Sequence, residues 1–131
     1  MPWLLLLLFW IGPATAEDVF DATDLYVDLV DPFYSSYEKS RTQIGVAMIA
    51  MVTLEVADAT ARDQVMAHRP LLRDSFQRLL SQQSRATFIS TQGWLTLAEQ
   101  ATDQFNETLA REGCTNCVRS VLFPAGIIPE G

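Results

Sequence analysis

The chain has 131 residues and a formal net charge of −7, enough for one domain and no more. The acid excess argues against nucleic acid as a partner, because phosphate binding requires a cationic footprint. It equally argues against docking on anionic lipid head groups through a polybasic patch.

The N-terminus reads as a targeting segment. Trp3 to Ile11 is an unbroken apolar run, far shorter than the ~20 residues a membrane-spanning helix needs. Gly12-Pro13 breaks it, and Ala14-Thr15-Ala16 has the small-x-small form of a signal-peptidase site. Residues 1–16 are therefore expected to be a signal peptide, cleaved between Ala16 and Glu17, or else a shortened membrane anchor. Residues 17–24 form an acidic lead, and the globular domain is expected over 25–131.

Leu25, Val27 and Leu29 alternate with Tyr26, Asp28 and Val30, which predicts a strand closed by Asp31-Pro32. Phe33 to Tyr37 is aromatic and hydroxyl-rich, as suits a short second strand. Glu38-Lys39-Ser40-Arg41 reads as a polar turn. The apolar run from Ile44 to Val56 then suits a central strand, with Gly45, Ala47 and Ala50 leaving room for a helix to pack close. The connections are too short for parallel crossovers, so the three strands are expected to form an antiparallel meander.

Asp58 is placed to cap a helix beginning near Ala59. Val65, Leu72, Phe76 and Leu79 return to one face of it. Pro70 interrupts the pattern and predicts a kink or a restart, read as a fixed bend. Ser90 is a second candidate cap. From Trp94, helical spacing resumes with Leu97, Ala101, Phe105 and Leu109 on one face, and with Glu99, Asp103 and Glu107 largely on the other. Glu112-Gly113 supplies the stop. Val118 to Phe123 alternates as a last strand, and Ile127-Ile128-Pro129 extends it as an edge. The sum is an α+β domain: a small, mainly antiparallel sheet packed against two long helices.

These elements carry a resemblance. Tyr26-Val27-Asp28-Leu29, a strand ending in TLEV, the helix segment HRPLLRDSFQRLLS from His68 to Ser81, Gly93 opening a second helix, and a final strand at Val118 to Phe123 occur in the order of the FliL family of flagellar basal-body-associated proteins. The helix segment is similar to that family's R-x-P-x-(I/L)-R-D-x-(V/F/I)-x-x-L-L-S pattern. The resemblance implies a stomatin-like fold and a periplasmic domain held by a membrane anchor. It implies association with stator units at the flagellar basal body, a tendency to form homo-oligomeric rings, and no catalytic residues.

The residues themselves offer little chemistry. Cys114 and Cys117 in GCTNC are expected to be oxidised in a secreted chain and to form a structural disulfide. The competing use, as a thiol oxidoreductase, places its first cysteine at a helix N-terminus, whereas this pair follows a helix C-terminus. His68 is the sole histidine, and no second chelating pair accompanies Cys114 and Cys117, so no metal site is expected. His68 is read as a surface residue. Asn106-Glu107-Thr108 fits a glycosylation sequon, against which its helical context argues. There is no glycine-rich phosphate loop and no Gly-x-Ser-x-Gly elbow. No cofactor, catalytic group or small-molecule substrate is expected. The candidate interaction face is Glu99, Asp103 and Glu107. The readings in other classes are a soluble periplasmic thiol-disulfide protein using the cysteine pair, and a stand-alone periplasmic binding module.

Overall fold

The computed structural model describes residues 25–130. The expected cleavage site at Ala16 and Glu17 and the acidic lead lie outside them. Among the described residues, no helix is long and apolar enough to cross a membrane.

The architecture is α+β, with two small antiparallel sheets and a layer of helices. β1 (Tyr26–Leu29) and β2 (Phe33–Ser40) are followed by β3 (Gln43–Ile49) and β4 (Val52–Val56); β5 (Val118–Leu122) and β6 (Ile127–Glu130) close the chain. The strand orders are β1-β4-β5 and β2-β3-β6. The expected meander is corrected here: β1 pairs with β4, from Tyr26 opposite Glu55 to Leu29 opposite Val52, and not with β2. The chain passes from β1 into β2 without reversing, and β2 then turns back through a hairpin to pair with β3. Three stretches of chain thus each supply one strand to each sheet, with breaks at 30–32, 50–51 and 123–126. The Ile44 to Val56 run is central, as expected, but it supplies two strands rather than one.

The break between β1 and β2 is held in place. Asp31 sits at φ 77°, in the left-handed region that L-residues rarely adopt. The Arg73 guanidinium donates to the carbonyls of Val30, Asp31 (2.9 Å) and Pro32 (3.3 Å). It also lies over the Phe33 ring, 4.0 Å from the centroid, a cation–π contact that adds to the hydrogen bonds.

The helices are α1 (Ala59–Ala67), α2 (Arg69–Leu80), α3 (Arg85–Ile89) and α4 (Thr91–Arg111). Asp58 caps α1 by accepting from the Ala61 N–H at 2.8 Å, and Ser90 caps α4 by accepting from Gly93 at 3.0 Å. The break at Pro70 is a restart, with the proline in the first turn of α2, where its missing N–H costs nothing. Among the described residues only α4 is long, at 21 residues, because that restart divides the other expected helix into α1 and α2. The short α3 falls where the sequence showed only Phe88 and Ile89 as an apolar foot. Gly93 lets α4 approach α3: a Cβ there would stand 2.5 Å from the carbonyl oxygens of Ala86 and Thr87. Gly45 makes room for the Tyr37 ring opposite it on β2, not for a helix.

The core lies between sheets and helices. Val65, Leu72 and Phe76 from the first helical face and Leu97, Ala101, Phe105 and Leu109 from α4 are wholly buried. Phe76 is its hub, edge-on to Phe33 with centroids 4.8 Å apart and tilted against Phe105 at 6.0 Å and Phe123 at 6.1 Å. Such ring pairs add about 0.5–1.5 kcal/mol each beyond their buried area.

Candidate protein-interaction surface

Glu99, Asp103 and Glu107 recur every four residues along α4 and are all exposed. Glu107 stands 4.0 Å from Arg111. Glu99 and Asp103 line a shallow groove of about 250 Å³ between α4 and β5, with Leu95, Arg119 and Val121. The stripe is open because the opposite side of α4 carries the apolar residues that the core requires.

The cysteine loop lies at the far end of the same helix. Cys114 and Cys117 have their sulfurs in bonding contact and their Cα atoms 5.9 Å apart, and both side chains are buried. The Cys114 N–H donates to the Leu109 carbonyl at 2.8 Å, and the Ala57 N–H donates to the Cys117 carbonyl at 2.9 Å. The loop therefore ties the C-terminus of α4 to the end of β4. The negative end of the helix dipole faces it, which opposes a thiolate.

His68 is half-buried at the junction of α1 and α2, a correction to its reading as a plain surface residue. Its Nδ1–H donates to the Gln64 carbonyl at 2.7 Å, since a carbonyl can only accept, and its Nε2 lies 3.8 Å from Glu112. Among the described residues, no three His, Cys, Asp or Glu side chains gather as a metal site requires. Asn106 is engaged with the backbone of Val118. Tyr26 donates to Glu55 at 3.0 Å; losing that bond beside a carboxylate raises its pKa above the ordinary 10.0.

A second surface was not legible in the sequence. A groove of about 690 Å³ runs between β2 and the link from α2 to α3, lined by Ser36, Glu38, Ile44, Ser84, Arg85 and Ile89 among others. β2 is an edge strand. Its first half is covered, since Gln77 donates to the Tyr34 carbonyl at 3.0 Å, and Ser36, Tyr37 and Glu38 of its later part line the groove. Lys39 and Arg41 border the hairpin tip beside this groove. Their spacing signals only a polar turn, and the groove exists only once α3 is folded against the hairpin.

The helix segment that carries the resemblance now has structural roles. Arg73 clamps the bend between β1 and β2, Pro70 starts α2, and Phe76 is the hub of the core. The sequence model of the family described as "Flagellar basal body-associated protein FliL" matches residues 26–128, from β1 into β6. No curated protein matches the chain. The family match spans most of the sequence and agrees with the order of its elements. The chain belongs to the FliL family of flagellar basal body-associated proteins.

Proposed function

We propose that this chain is a non-enzymatic periplasmic domain that supports stator function, and so motility, through contacts with the periplasmic part of stator units and with further copies of itself in a ring. Family membership supports the setting at the basal body. The observation that carries the contact is the exposed stripe of Glu99, Asp103 and Glu107 along the longest helix, with Glu99 and Asp103 lining the groove beside β5. A net charge of −7 leaves protein surfaces as the natural partners. The short apolar N-terminal run and the Ala14-Thr15-Ala16 site support export.

A deletion strain should build filaments yet swim poorly in viscous medium, because the defect lies in motor output and not in filament assembly. Glu99→Lys with Asp103→Lys should reproduce part of that defect without unfolding the domain, since exposed substitutions rarely cost more than about half a kcal/mol. Normal swimming of the deletion strain at every load would overturn the motor reading.

A further inference from the structure

The groove of about 690 Å³ runs along the free edge of β2. The register decides which backbone groups of β2 face that edge. Gln77 reaches the Tyr34 carbonyl from the free side, so Tyr34 and its β3 partner Met48 form a non-hydrogen-bonded pair. The alternation of antiparallel pairs then turns the N–H and C=O of Ser36 and Glu38 the same way. Among the described residues, no side chain covers the Ser36 and Glu38 N–H groups as Gln77 covers Tyr34. The Ser36 carbonyl meets only the Ser35 hydroxyl at 3.5 Å, and that hydroxyl has a shorter contact to the Leu80 carbonyl at 3.2 Å. A register shift between Glu38 and Ser40 ends the straight edge, so the open stretch is short.

The opposite wall is the link from α2 to α3 with α3 itself. It brings Arg85, which has no ion-pair partner among the described residues, and Ser84, whose hydroxyl makes no cap bond. Glu38 on the strand side is equally unpaired. Ile44 and Ile89 add apolar surface that is 73% and 49% exposed. A row of free backbone donors and acceptors is matched by another extended backbone. A helix would leave that row unpaired, because its own backbone groups bond internally.

We propose that an extended segment of another protein adds to the free edge of β2 as a fourth strand of the β2-β3-β6 sheet. It pairs with the backbone of Ser36 and Glu38 and sets an acidic side chain against Arg85, a basic one against Glu38 and an apolar one against Ile44 and Ile89. The inference rests neither on the α4 stripe nor on self-association. Main-chain bonds supply the affinity, and the two charges fix the direction, because a reversed segment sets its acid against Glu38.

The test is selection of short linear peptides from a random display library on the full chain, with the best binder then synthesised and titrated by fluorescence anisotropy. Selected sequences should share an acidic and a basic residue about an apolar one. N-methylation at alternate peptide positions should weaken binding by about tenfold or more, and at the intervening positions hardly at all, because only every second N–H faces β2. Ser36→Pro removes an edge-facing donor, which an edge strand tolerates, and should weaken binding to a similar extent at an unchanged melting temperature. The N-methyl series uses the wild-type chain and so decides the matter even where that variant melts early. Arg85→Glu should weaken the selected peptide and restore binding when its acidic residue is changed to Lys. Failure to select any binder, binding indifferent to Arg85→Glu, or N-methyl effects without the two-residue period would overturn the proposal. A wild-type chain that sediments as a dimer and becomes a monomer on Ser36→Pro would also overturn it, by giving the edge to a second copy.

Discussion

Asn106 holds Val118 by both of its backbone groups: Nδ2 donates to the Val118 carbonyl at 2.8 Å, and Oδ1 accepts from the Val118 N–H at 2.8 Å. A single amide thus imitates a neighbouring strand at the start of β5 and covers part of an edge that would otherwise invite another chain. Asn106→Ala should lower stability by about 1–3 kcal/mol, the cost of leaving such groups unpaired where they are part-buried, measured as a shift in urea midpoint. The same engagement bears on the sequon. In a glycosylating host, mass spectrometry of the folded chain should find Asn106 unmodified.

Arg73 does for the other edge what Asn106 does for β5. Its fork reaches three successive carbonyls at the bend, which a lysine ammonium cannot match. Arg73→Ala should cost about 1–2 kcal/mol after discounting for solvent screening. Arg73→Lys should recover less than half of that in the same denaturation series.

Phe76 and Phe105 lie in contact and are fully buried. Truncating either to Ala should cost about 3–5 kcal/mol. The double variant should cost less than the sum, because the rings share one contact and one cavity. Equilibrium unfolding of the three variants checks this.

Cys114 and Cys117 close a tight loop, and a short loop restricts the unfolded chain less than a long one. Replacing both by Ser should lower the melting temperature modestly and leave swimming intact. The wild-type chain should show no insulin-reductase activity. Activity lost in Cys114→Ser would instead support thiol chemistry.

The apolar run and the Ala-Thr-Ala site predict cleavage after Ala16, which would leave Glu17 as the mature N-terminus. N-terminal sequencing of protein from its host should begin at Glu17, and recovery of intact Met1 in the membrane fraction would show an anchor in its place.

Much of the fold was legible residue by residue. Helical spacing identified Val65, Leu72 and Phe76, and then Leu97, Ala101, Phe105 and Leu109, as core faces. Asp58 and Ser90 announced their helices because a short polar side chain before an apolar-periodic run meets free N–H groups. Pro70 announced a kink or a restart, because a proline inside a helix removes a hydrogen bond and clashes with the preceding turn, and the structure has the restart. These features are local, and the sequence by itself determined them. Alternation, in contrast, states which face a strand buries and is silent on which strand lies beside it. The partner of β1 was therefore settled only by the packed structure, in which the left-handed Asp31 and the Arg73 clamp carry the chain onward into β2 instead of back. The five-residue α3 is too short to show a periodic face, and its position rests on contact with Gly93. The groove beside β2 was likewise decided by tertiary structure, because Glu38 and Arg85 lie far apart in the sequence and only the packing of α3 beside the hairpin brings both to line it.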